Sequence, residues 1–345
     1  MGKKLKNAIL ILMGSLGNYA FPGGKPDLDF DGDSTISYSV TYPSDTRVTH
    51  GSAPATVNLG DSLEVQLGTN DNLYVIDDAN VVVSMGGNEV AGAYNPTTGK
   101  VTIGTVTGNV VIVATAVSYV SDGLVLHLDG KNRGGTTGQW KSLVDYNGSR
   151  ITFALTGCTE NSDNVQFLGS SKGVSSNSLT TKFNAGTIEA LYDITGSGFP
   201  TSAPQTILCN NTQEGIGLGL VKNNDQPSGF INHAFADSGG NLPEFSAFIG
   251  AGAVSASKAH VSLLQEDGKG QLRYNGVAAS AVTLNYKYCQ GIDAQTTLAI
   301  GYRHRSSGDD YLTGKIFFIR VYSRHLTDAE RARNYKIDKQ YYGLT

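Results

Sequence analysis

Gly314-Lys-Ile-Phe-Phe-Ile-Arg-Val-Tyr322, followed at once by Ser323-Arg-His-Leu-Thr-Asp-Ala-Glu330, decides how the rest of the chain is read. The first stretch is a short run of aromatic and β-branched residues, opened by a glycine, and reads as a strand. The second opens a helix. Thr327 stands where an N-cap is expected and Glu330 three residues on, the spacing of a capping box. Ala329, Ala332 and Tyr335 follow at helical spacing and are expected to face inward, with the helix ending near Gln340.

Working back from this strand and helix, the pattern is of further strands and turns. Leu298-Ala-Ile-Gly-Tyr302 reads as a strand. Ala259-His-Val-Ser-Leu-Leu264 and Gln271-Leu-Arg-Tyr274 read as a hairpin joined by the turn-rich Glu266–Gly270, and Asn275-Gly276 marks a tight turn before Val277. Gly186-Thr-Ile-Glu-Ala-Leu-Tyr192 alternates, and so does Gly123-Leu-Val-Leu-His-Leu-Asp-Gly130, with Leu124, Leu126 and Leu128 on one face. Upstream of these, Ser37–Tyr42, Ser62–Leu67, Val81–Met85 and Val110–Thr115 are strand-like, and Asn95-Pro-Thr-Thr-Gly99 is a turn between two of their neighbours. Strands at that spacing within about 85 residues make a small β-sandwich.

Composition agrees. Charged residues make up 16% of 345, against roughly 25% in an average globular protein. Gly is abundant, with 43 residues. The formal charge of −4 is spread out. There is no basic stripe, so nucleic acid is excluded as a partner. Cys158, Cys209 and Cys289 have no zinc-like spacing and are expected as thiols.

The fold class expected is therefore all-β: an immunoglobulin-like sandwich over residues 35–118, then a larger sandwich over 119–345 closed by one helix. Residues 1–34 form an N-terminal arm and linker. In the arm, Lys3, Lys4 and Lys6 precede the apolar run Ala8–Leu16, which is too short to span a bilayer. Three readings stand: a docking arm buried against a neighbour, a secretion signal, and a short helix packed on its own chain.

The motifs resemble known families. Gly123–Gly130, the segment Trp140-Lys-Ser-Leu-Val-Asp-Tyr-Asn-Gly148, the Thr-Ile-Glu-Ala of residues 187–190, the Tyr-Asn-Gly-Val turn of residues 274–277 and the closing strand and helix resemble the laminin-G-like superfamily, with its concanavalin-type jelly roll. Val82–Asn88, Tyr94-Asn95 and Gly99–Ala116 resemble the bacterial-type immunoglobulin-like repeats of phage structural and bacterial surface proteins. The ending Asn334–Gly343 is similar to versions of the jelly roll in phage virion proteins. Together the resemblances imply a bacteriophage virion protein, as a capsid decoration, head fibre or tail-associated adhesin at the virion surface. Its arm would hold other virion proteins, its assembly would be oligomeric, and its jelly roll would meet a protein or a host surface glycan. The alternative is a secreted or cell-surface bacterial adhesin that binds carbohydrate.

The expectation is that the chain is not an enzyme. In relatives that are glycoside hydrolases, one strand carries acids at its first, third and sixth positions. Here Glu189-Ala-Leu-Tyr-Asp-Ile194 has Leu191 and Ile194 where the second and third acids would stand. A polysaccharide hydrolase resting on Glu189 is the least favoured reading.

Two candidate sites remain. Tyr302, Arg303, His304, Arg305, Asp309, Asp310 and Tyr311 form a polar, aromatic-flanked loop and are the candidate ligand contact. Asp27, Asp29, Asp31 and Asp33, with Gly32 at the sixth position, match the opening half of a calcium loop, but Tyr38 occupies the place of its bidentate glutamate. Calcium is the one candidate cofactor. A second calcium candidate is the jelly-roll rim, at Asp129, Asp145, Asn147, Asp309 and Asp310.

Overall fold

The computed structural model describes residues 35–178, 182–183, 185–193, 205–210, 219–223, 230–234, 244–248, 258–266, 269–278, 282–283, 292–293, 297–304 and 308–344. The chain divides into two compact units, Met1–Val117 and Ser118–Thr345.

In the first unit, β1 (Ser37–Thr41), β2 (Thr56–Asn58), β3 (Leu63–Gln66), β4 (Val82–Met85), β5 (Asn88–Glu89), β6 (Tyr94–Asn95), β7 (Lys100–Ile103) and β8 (Val110–Val113) make up two sheets. Their orders are β2-β1-β8-β4-β5 and β3-β7-β6. β1 and β8 run parallel, with Val40 opposite Val110. Alternation sets the faces: Leu63 and Val65 are buried between exposed Glu64 and Gln66, and Val110 and Ile112 between exposed Val111 and Val113.

The second unit is a sandwich of two large sheets. Its strands are β9 (Leu124–Asp129), β10 (Gln139–Lys141), β11 (Thr152–Thr156), β12 (Val165–Leu168), β13 (Lys172–Ser178), β14 (Ala185–Asp193), β15 (Gln205–Asn210), β16 (Gly219–Asn223), β17 (Phe230–Ala234), β18 (Glu244–Phe248), β19 (Ala259–Glu266), β20 (Lys269–Tyr274), β21 (Val277–Ala278), β22 (Thr297–Ile300), β23 (Tyr302–Arg303), β24 (Asp310–Tyr311) and β25 (Thr313–Tyr322). A nine-stranded sheet runs β12-β25-β14-β19-β20-β21 through its centre. An eight-stranded sheet runs β10-β11-β13-β22-β15-β16-β17-β18. The fold is all-β, with one α-helix, α1 (Asp328–Tyr342), among the described residues.

β25 organises the nine-stranded sheet. On one edge its first half pairs with β12 and its second half with β9; on the other edge it pairs with β14. Its residues Ile319 and Val321, and Ile316 from across a bulge at Phe317, enter the core between the sheets. There they meet Ile188 and Ala190 of β14, Val261 and Leu263 of β19, and Leu298 and Ile300 of β22. Trp140 is fully buried in this core, and its Nε1 donates to the Asp129 carbonyl oxygen at 3.1 Å. Residues of opposite parity on β25, Phe318, Arg320 and Tyr322, are also buried, because α1 covers that face.

α1 carries the capping box. Thr327 Oγ1 accepts from the Glu330 N–H at 3.2 Å, and Glu330 Oε2 accepts from the Thr327 N–H at 2.8 Å. Gly343, left-handed at φ 65°, ends the helix one turn on from Lys339. The inward face differs from the sequence expectation. Ala329 and Ala332 are exposed and Tyr335 is half-buried; the buried residues are Arg331, Asn334, Ile337, Asp338 and Tyr342. The helix meets a charged row on the sheet, so its polar side is the one that faces in.

Candidate functional site

Two places in the second unit gather chemistry-bearing side chains, and they lie on different sheets.

The first is the face of the nine-stranded sheet beneath α1. Register aligns Arg273, Ser262, Glu189, Arg320 and His127 in one row across β20, β19, β14, β25 and β9. Neighbours in such a row share a face. α1 brings Asn334 and Asp338 down onto it. Asn334 Nδ2 donates to Glu189 Oε2 at 2.8 Å and to the Tyr322 hydroxyl at 2.9 Å. Asp338 accepts from Arg320 Nη2 and from the Tyr119 hydroxyl, the latter at 2.9 Å, and lies 3.0 Å from His260 Nε2. Arg320 Nε stands 3.2 Å from Glu189 Oε2, in ion-pair rather than hydrogen-bond geometry. The Arg320 guanidinium is also stacked on the Tyr119 and Phe318 rings, 4.1 and 4.2 Å from their centroids.

Glu189, Arg320, Asn334 and Asp338 are all 0% exposed. Burial pushes the Asp338 carboxyl up, but Arg320 and His260 together hold it below the usual carboxylate range. The net shift of Glu189 is the opposite: burial raises it above its ordinary value, with Arg320 only partly opposing. Burial, with the charge of Arg320, lowers His127 to about 3, so this ring is neutral at physiological pH. The arrangement neutralises charge in a sealed layer. It gives Glu189 no access to a polymer, which removes the residue on which a hydrolase reading rested.

Sequence reading missed this cluster. The available signal was Arg320 inside the apolar run Ile316–Tyr322: a charge at a buried position demands a buried partner.

The second place is the hairpin that follows β22. β23 and β24 pair Tyr302 with Tyr311 and Arg303 with Asp310. The candidate contact residues therefore begin and end as paired strands rather than as one loop. Tyr302 is buried with Cys209 and Ala299, and its ring centroid lies 5.1 Å from that of Tyr311. Lys172 Nζ sits 4.8 Å from the Tyr302 ring centroid. Cys209 Sγ contacts the Tyr302 carbonyl oxygen at 3.1 Å. Burial and the neighbouring Asp309 push the Tyr302 phenol up to about 12. Arg303 is buried as well, so Tyr302 and Arg303 seat the hairpin. What remains at the surface is His304, whose Nδ1 lies 2.8 Å from Asp309 Oδ1, and half-buried Tyr311, whose hydroxyl donates to Asp309 Oδ2 at 3.3 Å. Arg305 lies outside the described residues.

Asp27, Asp29, Asp31 and Asp33 also lie outside the described residues. Among the described residues, no group of three or more His, Cys, Asp or Glu side chains is placed to hold a metal ion. The rim acids of the jelly roll do not converge. Asp129 is buried and accepts from the Tyr342 hydroxyl at 2.7 Å, the Tyr341 hydroxyl at 3.2 Å and the Lys131 N–H at 2.8 Å. Asp145 pairs with Arg150 at 3.1 Å.

No family model matches the chain, and no curated protein does. Solved structures do. Trypanosoma rangeli sialidase is similar at 14% identity and a TM-score of 0.45, over 65% of this chain and 34% of that one. The same sialidase in complex with sialic acid gives 16% identity and a TM-score of 0.47, again over 65% and 34%. The binding domain of botulinum neurotoxin serotype D gives 13% identity and a TM-score of 0.43, over 62% of this chain and 52% of that one. The chain thus spans about a third of the sialidase and about half of the toxin domain. The expectation that this chain is not an enzyme is withdrawn on this finding, because a sialidase, which is an enzyme, is among the structures similar to it.

Proposed function

We propose that this chain is a structural and recognition protein of a bacteriophage particle, and that its jelly roll takes carbohydrate at the hairpin of β23 and β24. The observation that carries the ligand site is the half-buried Tyr311 ring standing beside the surface pair His304 and Asp309. An aromatic face flanked by paired donors and acceptors suits a sugar ring, whose axial C–H groups stack while its hydroxyls hydrogen-bond. Buried Tyr302 and Arg303 hold the platform in place, which lowers the ordering cost of binding. The particle assignment rests on the sequence resemblances of both units and on the apolar run Ala8–Leu16, which would dock against neighbouring virion proteins.

Two measurements test this reading. On a glycan array of host surface polysaccharides, the chain is expected to retain a defined set of sugars, and Tyr311→Ala to lose at least about tenfold in affinity for them. Retention unchanged by Tyr311→Ala sinks the hairpin as the site. Deleting residues 1–24 is expected to abolish incorporation into particles, and normal incorporation of the truncated chain removes the docking role. If the mature chain isolated from cells begins near Phe21, the secreted adhesin replaces the virion protein.

A further inference from the structure

The segment by which the chain enters the second unit is held by the last element of that unit. The Tyr119 hydroxyl donates to Asp338 Oδ1 at 2.9 Å, and the Val120 N–H donates to Asn334 Oδ1 at 3.0 Å. These contacts join residues 219 and 214 positions apart. Both acceptors sit on the buried side of α1, and both are already committed to the sheet: Asp338 to Arg320 and His260, Asn334 to Glu189 and Tyr322. Val120 itself is buried against Tyr322 and Leu326, with Leu124 packed on the same cluster. The other ties on this segment lie nearer solvent: Ser323 N–H to the Gly123 carbonyl at 2.7 Å, and Arg324 to Asp122, whose side chain is 83% exposed.

We propose that Tyr119, Asn334 and Asp338 form a latch that makes attachment of the incoming segment and docking of α1 a single event, so that the two are released together. Each partner supplies what the other needs. Asp338 and Asn334 are buried polar groups whose acceptor atoms are completed by Tyr119 and Val120; without them the helix would bury acceptors with fewer donors. Conversely, the Val120 N–H has its partner on the helix and is buried, so undocking the helix leaves a backbone donor unmatched. The Tyr119 ring adds a second tie, since it stacks on the same Arg320 that Asp338 holds. A disturbance at residue 119 is therefore felt at α1 through one shared set of side chains. The rest of the sandwich, built on the apolar core, need not respond.

Hydrogen exchange of the full chain at pH 7 tests the latch in two variants made from opposite ends. Asp338→Asn alters the helix side and leaves Tyr119 intact. Tyr119→Phe removes only the hydroxyl and keeps the ring over Arg320. In both variants, peptides covering Tyr119–Leu124 and peptides covering Lys336–Tyr342 are expected to exchange faster by a common factor, about tenfold or more for Asp338→Asn and smaller for Tyr119→Phe. Peptides from β11, within the eight-stranded sheet, are expected to keep the wild-type rate. A variant that loosens only the segment it alters overturns the proposal, as does one that leaves both segments at the wild-type rate. Should Asp338→Asn fail to fold, Tyr119→Phe alone decides, because losing one hydroxyl leaves the ion cluster in place.

Discussion

The two large sheets of the second unit share one apolar core but finish their outer faces in opposite ways. The nine-stranded sheet is covered by α1, and the contact is made by charges and amides: Arg320, Glu189, Asp338 and Asn334, all without solvent access. The eight-stranded sheet carries Ala299 on β22 and Cys209 on β15, over which the β23–β24 hairpin folds through Tyr302 and leaves Tyr311 and its polar neighbours at the surface. One face is shut by interactions that are costly to break, and the other keeps a platform in reach of a ligand. The difference teaches that, among the described residues, the buried charged cluster of the second unit marks its closure, while the candidate contact surface keeps its polar side chains in reach of solvent.

The comparison breaks first at Arg320. If the helix is held mainly by ions, Arg320→Ala leaves Glu189 and Asp338 buried with no guanidinium between them, at a cost of about 3–5 kcal/mol. Denaturant unfolding followed by far-UV circular dichroism measures this. A loss below about 1 kcal/mol would mean that apolar contacts hold the helix and that the charged layer is incidental. The combined variant Glu189→Met, Arg320→Met, Asp338→Leu sharpens the point. Removing the whole set avoids unpaired charge, so it is expected to cost less than Arg320→Ala alone.

How much of this could be read from the sequence follows the range of the interactions. β25 was legible as a short run of aromatic and β-branched residues, and β14 as a local alternation. α1 was legible as a helix because Thr327 and Glu330 are three residues apart. Its buried face was not. Ranking by hydrophobicity selects Ala329, Ala332 and Tyr335, whereas the face in use answers to Glu189, which is 145 residues from Asn334. A polar face finds its partner through tertiary register, and nothing within the helix encodes that. Tyr302–Tyr311 was legible as a place of dense hydrogen-bonding groups, but β23 and β24 are two residues each, too short to show a period. The burial of Tyr302 and Arg303 was therefore hidden too.

The next break lies on the hairpin side. Gly301 joins β22 to β23 at φ +68°, and a Cβ there would stand 2.2 Å from Phe167 Cδ1. Gly301→Ala meets both an unfavourable backbone conformation and a packed aromatic ring, and is expected to cost about 3 kcal/mol. If the hairpin is seated as rigidly as its buried Tyr302 implies, the same variant weakens glycan retention along with Tyr311→Ala. A cost below about 1 kcal/mol with retention intact would show the hairpin to be an adaptable loop, and the contrast with the helix side would grow.

The smallest effect tests whether the charged side of the comparison extends to the exposed start of α1. Thr327→Ala removes the acceptor for the Glu330 N–H and is expected to cost about 1 kcal/mol. Acid reaches the same contact. Hydrogen bonds from Arg324, helped by those from Thr327, hold Glu330 down at about 2, below its unfolded value near 4.5. A carboxyl whose folded pKa is depressed stabilises above its unfolded pKa and loses that stability as pH falls through its folded one. The helix start is thus expected to weaken progressively between about pH 4.5 and pH 2. In the buried layer Glu189 works in the opposite sense, since its carboxyl is raised and protonation relieves the cost of burying it ionised, which offsets what the depressed Asp338 carboxylate loses in acid. Acid should therefore loosen the first turn of α1 before the layer beneath its middle. Hydrogen exchange resolved by peptide, compared at matched intrinsic rates across this pH range, separates the two. Simultaneous loss of both ends would mean that the capping box and the buried layer form one cooperative unit.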